Sequence, residues 1–534
     1  AHTEGTFAEG AAAMYGYKTA EGGLALNHLT GVLKIGVTGD KALVMAQIST
    51  VDRAPIAGEF ALDFATGKLT PTTASKELIS CTWEEESADG SIGFALGATP
   101  QYLHFAVPAG VYDELYVTLY DTEGGVMYAT VKADDTKPLV AGKVREFSNT
   151  ITYAPNASVF VIKDVATLKE FAAQAPTLDK DALFVADVDM TGEAWTPIED
   201  YTKTVHGNGY SIKGLTAPLF GRVFCSIKGL HLVDVNIEET ANCGVGALAR
   251  QITGTGVASG MPSDYFPVIE NCSVSGKVVL NNTTTAFVNT NLNEYGECVA
   301  AGIVGRIYGT IINNCVNRAS VEVKQCFPVG HSTSLYPCVG GIVGYIGYSA
   351  HDDGTSVYSN ITNVENHGDI SFAGTSYTGE TNVTKFSMLK PYIGGILGCS
   401  HTTNKGLTPH NLKNYGDVSI SGKLGNGVSI SGIAGYLYTL DGSNIYNYGK
   451  ISAANLEVRY LYVGAAMGYC GKGTALDNVH NYGEVYVAET ATCGSLVCGG
   501  LQGYQPSDAA AADAGHSIIS NSSNSAPVTV SCQV

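Results

Sequence analysis

Hydrophobic and polar residues alternate over short stretches between residues 24 and 153. Examples are LTGVLKIGV (29–37) and ELYVTLYD (114–121), and turn sequences such as Glu123-Gly124-Gly125 separate the stretches. An alternation of period two places the apolar side chains of a strand on one face. Short alternating strands with turns at this density are typical of a β-sandwich. We therefore predict an antiparallel β-sandwich for the N-terminal part of the chain.

The pattern changes after this region. The segment VATLKEFAAQ (165–174) has apolar residues at helical spacing and is followed by Pro176. Because proline cannot continue a helix, this pattern predicts a short helix that ends before it. The predicted domains are residues 1–155 and residues 156–534, and the second begins with a short helical cap at about 160–200.

A glycine-rich apolar motif recurs through the second domain. Its copies are AAGIVGRI (300–307), VGGIVGYI (339–346), IGGILGCS (393–400), ISGIAGYL (430–437), VGAAMGYC (463–470) and CGGLQGYQ (498–505). A second motif, centred on asparagine, follows each copy. A repeat of about 34 residues with three very short apolar strands fits one coil of a parallel β-helix. The sequence therefore predicts an all-β protein whose second domain is a right-handed parallel β-helix.

Two residue types in the repeat have predicted structural roles. The recurring Asn366, Asn414 and Asn447, with Asn481, are expected to stack as a ladder inside a turn. There their amides would bond the backbone of neighbouring coils, and asparagine tolerates left-handed φ. Gly344 and Gly398 are expected at tight corners of positive φ, where a valine would be strained.

Both halves resemble known families. His28, the Ile56-Ala57-Gly58 step and the Val107-Pro108-Ala109-Gly110 turn resemble the fimbrillin-like domains of Bacteroidales surface proteins. Gly207-Asn208-Gly209 and Pro218-Leu219-Phe220-Gly221 resemble the first coils of β-helix proteins that carry the GLUG motif. The fimbrillin resemblance implies assembly by strand addition, so fimbrial subunits are expected partners.

Composition and charge narrow the classes of function. Charged residues make up only 15% of the chain, and the formal net charge is −19. A negative protein repels phosphate backbones and anionic lipid surfaces, so we expect no nucleic-acid partner. Frequent glycines interrupt every long apolar run, and we expect no transmembrane segment. The expected location is extracellular or at the outer-membrane surface, with the chain lipid-anchored or associated with fimbriae.

The sequence shows no legible catalytic or metal-binding motif. The 13 cysteines form no CxxC pair and have no matching histidine spacing, so we expect neither a metal nor a cofactor. Most are interpreted as buried thiols, although a few disulfides could form after export. Asp187 and Asp189 are interpreted as caps of turns between coils. We therefore expect no catalytic residues and a chain that is not an enzyme.

Insertions between the repeats are the candidate ligand-binding region, because loops on a regular scaffold commonly carry function. Tyrosine and histidine suit contacts to sugars or proteins. The candidate residues in or beside these insertions are Tyr265, Tyr336, His351, Tyr377, His401 and Tyr504. The predicted function is a non-enzymatic cell-surface adhesin, or a tip-like fimbrial accessory protein, that binds a host or bacterial glycan or protein. The alternatives are a secreted β-helix lyase or glycosidase and a purely structural spacer.

Overall fold

The computed structural model describes most of the chain. The described residues are 13–18, 22–51, 54–83, 92–133, 137–155, 159–241, 244–254, 266–282, 295–326, 336–347, 349–350, 356–374, 390–400, 406–439, 441–471, 474–504 and 518–533. Within these ranges the protein is nearly all β, as the sequence predicts. The chain divides into two compact units, one of Ala1–Val161 with Lys180–Leu183 and one of Ile162–Asp179 with Phe184–Val534. Independent folding on either side of residue 155 stays a prediction.

The strands of the N-terminal region form separate small sheets. They are β1 (Met14–Lys18), β2 (Leu24–His28), β3 (Thr30–Thr38), β4 (Ala42–Thr50), β5 (Ala57–Asp63), β6 (Lys68–Lys76), β7 (Leu78–Thr82), β8 (Phe94–Ala95), β9 (Gln101–Pro108), β10 (Glu114–Asp121), β11 (Val126–Lys132) and β12 (Val144–Thr152). One sheet has the order β11-β10-β4-β7, with β8 also paired to β4, and another has the order β12-β3-β9. The pairs β1–β2 and β5–β6 are hairpins.

The two larger sheets of the first unit contribute to one hydrophobic core. Leu33 and Ile35 of β3 and Phe105 of β9 are buried together with Ile48 of β4 and Val117 of β10. Partly exposed and buried residues alternate in β3 from Thr30 to Ile35, as its sequence pattern requires, and the next two residues are buried as well. Alternation therefore determines which face of this strand meets the core.

The second region consists mainly of short parallel strands. They are β13 (Val159–Ile162), β14 (Asp181–Phe184), β15 (Val188–Asp189), β16 (Val205–His206), β17 (Ser211–Lys213), β18 (Phe220–Val223), β19 (Ile227–Lys228), β20 (His231–Glu239), β21 (Gly244–Gly246), β22 (Ala249–Thr253), β23 (Val268–Glu270), β24 (Ser273–Asn282), β25 (Tyr295–Ala301), β26 (Val304–Tyr308), β27 (Ile311–Asn313), β28 (Val316–Cys326), β29 (Tyr336–Gly340), β30 (Val343–Ile346), β31 (Ser349–Ala350), β32 (Ser356–Val357), β33 (Asn360–Asn366), β34 (Ile370–Gly374), β35 (Tyr392–Gly394), β36 (Leu397–Ser400), β37 (His410–Asn414), β38 (Val418–Ser431), β39 (Ala434–Leu437), β40 (Gly442–Asn447), β41 (Ile451–Gly464), β42 (Met467–Cys470), β43 (Ala475–Asn481), β44 (Val485–Val487), β45 (Thr492–Gly499), β46 (Gln502–Tyr504), β47 (Ile518–Ser520), β48 (Ser523–Asn524) and β49 (Val528–Val530).

Each repeat pairs in parallel with the next, which gives a β-helix-like stack. One sheet of eight strands has the order β18-β22-β26-β30-β36-β39-β42-β46, so every strand comes from a successive repeat. The strands β33, β37, β40 and β43 pair in the same way, one repeat after another. A parallel pair needs a long connection, and here the rest of each coil supplies it. The predicted parallel, repeat-based architecture is confirmed at this level.

The predicted short helix is confirmed as α1 (Val165–Gln174). Asp164 is its N-cap, and the Asp164 carboxylate accepts a 2.8 Å hydrogen bond from the Thr167 amide. Leu168 and Phe171 are its buried residues. The cap fixes the first turn, and the apolar stripe then decides which side of the helix is covered.

The predicted asparagine ladder is also confirmed. The amide of Asn414 donates to the side-chain oxygen of Asn447 at 2.9 Å, and Asn447 donates to Asn481 at 2.8 Å. Asn317 and Asn366 extend the ladder in the other direction, because Asn317 donates to Asn366 and Asn366 to Asn414. Each bond between coils therefore joins two side chains. The backbone acceptor lies in the same coil, two residues further on.

Left-handed backbone, however, belongs to other asparagines. Asn363, Asn411, Asn444 and Asn478 have φ between 53° and 56°, and each lies three residues before a ladder asparagine. They form further contacts between coils in two pairs, since Asn411 donates to Asn363 at 2.7 Å and Asn478 donates to Asn444 at 2.6 Å. The sequence expectation assigned both roles to one residue per coil, whereas two residues share them.

The predicted role of two glycines needs a correction. Gly344 and Gly398 lie in β30 and β36, and neither is among the glycines of positive φ. A Cβ at Gly398 would lie 2.4 Å from the Gly344 carbonyl oxygen and 2.4 Å from the Val339 nitrogen. Glycine is required there because two backbones approach closely, not because of a corner.

Candidate functional site

The six candidate residues divide into two groups. Tyr265, His351, Tyr377 and His401 lie outside the described residues. Tyr336 and Tyr504 are described, and both line one cleft in the β-helix-like unit. We call it the tyrosine cleft. Its cavity has a volume of about 350 Å³, and its lining is Tyr336, Lys390, Pro391, Tyr392, Gly427, Val428, Ser429, Tyr436, Tyr460, Tyr462, Tyr469 and Tyr504.

The register of the coils places these tyrosines together. Tyr436 of β39 pairs with Tyr469 of β42, which in turn pairs with Tyr504 of β46. All three tyrosines directly follow the closing glycine of the repeat motif. Equivalent positions of a parallel stack lie above one another, so this dipeptide builds a column of rings.

A second column lies beside the first, with Tyr392 in contact with Tyr436 and Tyr462 in contact with Tyr469. Tyr392 of β35 pairs with Ser429 of β38, and Ser429 pairs with Tyr462 of β41. The cleft therefore lies where two strands of each coil present side chains to one cavity. Tyr392 also lies beside an insertion of the sequence, whereas sequence reasoning missed Tyr436, Tyr460, Tyr462 and Tyr469, although the repeated glycine–tyrosine dipeptide was a signal for two of them.

The rings meet at different angles along the cleft. Tyr336 stacks on Tyr392 with ring centroids 6.0 Å apart, whereas Tyr392 meets Tyr436 edge to face at 5.4 Å. Tyr504 lies 4.7 Å from Tyr462 and 5.1 Å from Tyr469. Because the planes are not all parallel, ring faces as well as edges are available to a ligand.

Two lining residues of the cleft, Tyr392 and Tyr436, belong to a small hydrophobic cluster. Tyr345, Tyr392 and Tyr436 are buried there with Cys338 and Cys399. Tyr336, Tyr462, Tyr469 and Tyr504 are only partly buried. Tyr336 and Tyr469 pack against this cluster, which restricts the orientations of their rings.

Burial also controls the ionisation of the phenols. It raises the pKa of Tyr469 to about 12, and the neighbouring Tyr504 and Tyr462 add to the effect. Burial raises the pKa of Tyr345 as well. Their hydroxyl groups therefore stay neutral near pH 7 and act as hydrogen-bond donors and acceptors.

A cation lies beside the cleft. The Lys390 ammonium lies 5.5 Å from the centre of the Tyr336 ring, within the range of a cation–π contact. Among the lining residues that the structure describes, Lys390 is the charged one. The cleft is therefore mostly neutral, with a positive end.

A second aromatic feature runs along the surface. His367, Tyr415, Tyr448 and Tyr482 directly follow ladder asparagines and form what we call the outer aromatic row. Successive rings lie 4.6, 4.8 and 5.0 Å apart and are parallel within 12°. Since the rings stack along the axis, the row presents ring edges to solvent, which makes it a poor platform for a flat ligand.

Histidine–serine contacts also recur between coils. His410 Nδ1 lies 2.7 Å from Ser443 Oγ, and His480 Nδ1 lies 2.8 Å from Ser523 Oγ. Both pairs are register neighbours in adjacent coils. The recurrence of one contact at equivalent positions points to a structural role.

Other candidate chemistry is reported for the described part of the chain. Asp189 accepts a 2.9 Å bond from the Thr191 amide and caps a turn as predicted, whereas Asp187 accepts a 2.7 Å bond from the amide of Ser211, the first residue of β17. In the described ranges no three His, Cys, Asp or Glu side chains are grouped so as to hold a metal ion. No helix there is long and apolar enough to cross a membrane.

Solved structures similar to this chain include two that are named as IgA1 proteases. Neither a protein-family model nor a curated protein matches the chain. An immunoglobulin A1 protease candidate from Bacteroides ovatus is 14% identical over 69% of this chain and 85% of its own, with a TM-score of 0.32. An IgA1 protease is 14% identical over 68% of this chain and 26% of its own, with a TM-score of 0.35. A likeness at this level assigns neither an activity nor a substrate.

The protease names nevertheless contradict two predictions from the sequence. The chain was predicted not to be an enzyme, and its function was predicted to be that of an adhesin or fimbrial accessory protein. Both predictions are withdrawn, because the two similar structures are named as proteases. The prediction rested on the lack of a catalytic motif. A β-helix that binds the substrate of an enzyme need not carry such a motif itself.

Proposed function

We propose that the tyrosine cleft is a substrate-binding site of a secreted, peptidase-type protein and that it binds an extended polypeptide. The observation that supports this is a cavity of about 350 Å³ lined by seven tyrosines, placed by successive coils. The two similar structures are named as proteases, which agrees with a peptidase, but their TM-scores are too low for the names to support the proposal.

The spacing of the coils suits a chain in the polyproline II conformation. Strands of successive coils lie about 4.8 Å apart, so two coils span about 9.6 Å. A polyproline II helix rises about 3.1 Å per residue with three residues per turn, which is about 9.3 Å per turn. A segment lying along the stack would therefore present the same side to every second coil.

The chemistry of the lining suits the same ligand. A polyproline II segment has no internal hydrogen bonds, so its carbonyl oxygens need donors, and neutral phenols are donors. Aromatic-lined grooves are a recurrent means of binding proline-rich segments, because a preformed segment loses little entropy. Lys390 at one end favours a carboxylate or a carbonyl dipole of the ligand there.

The lining supplies binding rather than bond cleavage. Its described residues include tyrosines, a lysine and a serine, and none of them is a carboxylate or an imidazole. The groups that break the peptide bond would therefore come from elsewhere, either from the rest of this chain or from a further part of the protein.

The finer features of the fold belong to the same proposal. We propose that the N-terminal sheets form a β-sandwich of the fimbrillin-like kind, since two sheets share one core. We also propose that the stack is right-handed and of the GLUG type, and that the chain acts outside the cell.

The test is a calorimetric titration of the full chain with a proline-rich peptide of about 12 residues, with a scrambled glycine–serine peptide as control. Replacing Tyr462, a partly exposed rim residue, by alanine should raise the Kd about tenfold. Tyr448→Ala in the outer aromatic row is the matched control and should leave the Kd unchanged. Binding of a soluble glycan with no peptide binding would overturn the proposal, as would equal effects of the two variants.

A further inference from the structure

Two cysteines meet at the last coil of the stack. Cys493 lies in β45, and its Sγ is 3.9 Å from Sγ of Cys532, which follows β49. The backbone holds the two segments side by side. The Cys493 amide donates to the Gln533 carbonyl at 3.0 Å, and the Gln533 amide donates to the Ala491 carbonyl at 3.0 Å.

Cys493 is the last member of a buried column. Leu424, Val458 and Cys493 occupy one register position in three successive coils, and each is at most 5% exposed. Cys532 contacts this column from the final segment of the chain. It is partly exposed and therefore lies at the boundary between the column and solvent.

We propose that Cys493 and Cys532 are joined by a disulfide in the exported protein and that this bond fastens the final coil. Each thiol gives up its hydrogen and a sulfur–sulfur bond forms. A small-molecule disulfide such as oxidised glutathione accepts the two electrons and two protons and becomes two thiols. The inference does not depend on the function of the tyrosine cleft.

The geometry allows the bond with little movement. A disulfide is about 2 Å long, so the sulfurs must approach by about 2 Å. Cys532 can supply this approach by side-chain rotation, because it is partly exposed. Cys493 can stay in place within its column.

The final coil would be stabilised by such a bond. Ile518, Val528 and Val530 are 58%, 41% and 45% exposed, so apolar side chains of the last strands lack cover. Among the described residues this coil contacts a neighbouring coil on one side only, and in repeat proteins a coil with one neighbour opens more readily than a coil with two. A covalent link between Cys493 and Cys532 ties residues 518–532 to the preceding coil.

A third thiol offers a rival pairing. Cys498 is partly buried in the same strand as Cys493, and burial raises its pKa to about 11 with a contribution from Cys532. Burial also raises the pKa of Cys493 to about 11. Since the thiolate is the attacking species, oxidation should be slow at pH 7 and faster at pH 9.

The experiment uses the reduced full chain in a glutathione redox buffer at pH 8.5. Free thiols are then alkylated, and the protein is digested without reduction for mass spectrometry. We expect one cross-linked peptide pair joining Cys493 to Cys532, present in the Cys498→Ser variant and absent in Cys493→Ser. Full alkylation of both cysteines would overturn the proposal, and so would a link from Cys532 to Cys498.

A second measurement tests the fastening. Amide hydrogen exchange of residues 518–532 should be about tenfold slower in the oxidised protein than in the reduced protein. Exchange in the outer strands of the first unit serves as the internal control and should not change. Equal exchange of the final coil in both redox states would show that the bond does not fasten it.

Discussion

Each ladder asparagine uses both hydrogens of its amide. The Asn447 amide donates to Asn481 at 2.8 Å and to the Gly449 carbonyl at 2.8 Å, while its side-chain oxygen accepts from Asn414. The residue is 1% exposed. A buried amide with all partners satisfied is stabilising, and any change that leaves one partner alone costs the desolvation of that group.

Asn447→Asp should therefore be strongly destabilising. An aspartate keeps the acceptor for Asn414 but loses both donors, and it would place a charge in the stack. We expect the free energy of unfolding to fall by about 3 kcal/mol, as is typical for a buried network broken on one side. Urea denaturation followed by far-UV circular dichroism measures the change.

The matched control is Asn455→Asp, because Asn455 is exposed and its left-handed backbone suits aspartate equally well. We expect this variant to stay within about 0.5 kcal/mol of the parent. Equal losses of stability in the two variants would mean that a buried ladder asparagine contributes no more to stability than an exposed asparagine does.

Gly398→Val should also be destabilising, because its Cβ would lie 2.4 Å from the Gly344 carbonyl oxygen. A Cβ cannot approach backbone so closely, so adjacent coils must separate. The expected loss is about 3 kcal/mol or more by thermal denaturation. Gly427→Ala is the control, since its nearest neighbour would be Tyr460 Cβ at 3.6 Å, an ordinary contact. A Gly398 variant as stable as this control would contradict the close approach.

At the residue scale, the sequence predicted which asparagines share a column because they repeat at the period of the coil. It could not predict that the left-handed backbone belongs to a different asparagine, three residues before each ladder asparagine, since both residues recur. Nor could it separate close backbone approach from positive φ at Gly344 and Gly398, because both conditions exclude a side chain.

The tyrosine cleft is a property of elements rather than of single residues. The glycine–tyrosine dipeptides of β39, β42 and β46 fix one column of rings. The second column comes from another strand of each coil, where Tyr392 and Tyr462 share a register position with Ser429. The sequence shows each column separately, but the angle at which two strands meet depends on packing inside the coil.

Only some of the candidate residues chosen from the insertions line the cleft. Tyr336 and Tyr504 were singled out because they border insertions, and both line the cavity. Tyr436 and Tyr469 belong to the regular repeat, which was interpreted as scaffold alone. A regular strand can carry a site where side chains of two strands converge.

The phenols of the cleft make the stability of the folded protein depend on pH in the alkaline range. Burial raises the pKa of Tyr469 to about 12 in the folded protein, above its ordinary value near 10. The neutral phenol is therefore favoured by folding. Its contribution to stability is complete below pH 10 and is lost as the pH rises towards 12.

Tyr469→Phe should remove this part of the pH dependence. Between pH 10 and 12 we expect the variant to lose less stability than the parent, as measured by urea denaturation at each pH. Ultraviolet titration of phenolate should show one fewer late-ionising group. Tyr482→Phe, which removes one exposed phenol of the outer aromatic row, is the control for the loss of a hydroxyl group. An unchanged late phase in the Tyr469 variant would contradict the effect of burial.

The whole molecule combines two kinds of β structure in one chain. In the first unit the strands lie in small sheets around one core. In the second unit each coil contacts mainly the coils before and after it, so stability accumulates along one dimension. The same composition thus supports two ways of burying apolar surface.

Separate fragments test the predicted division of the chain. Residues 1–155 and residues 156–534 are each expected to unfold cooperatively, because each contains its own hydrophobic core. Differential scanning calorimetry of the two fragments and of the full chain measures this. If either fragment shows no transition, the division near residue 155 is misplaced.

At this scale the sequence predicted the all-β class, the repeat and the helix from periodicity alone. The class of function could not be predicted in the same way. The low charge, the missing motifs and the repeated tyrosines fit a binder and a substrate-binding part of an enzyme equally well. What separates them is whether a bound chain is cleaved, and that depends on reacting groups that no periodicity marks.

The outer aromatic row has an optical consequence. His367, Tyr415, Tyr448 and Tyr482 lie 4.6 to 5.0 Å apart, and their ring planes are nearly parallel. The three phenol chromophores in the row are close enough for their electronic transitions to couple, so the row should absorb polarised light as one array. A near-ultraviolet dichroism band from this array would weaken when a single coil opens. The intensity of this band would therefore report how many coils remain stacked.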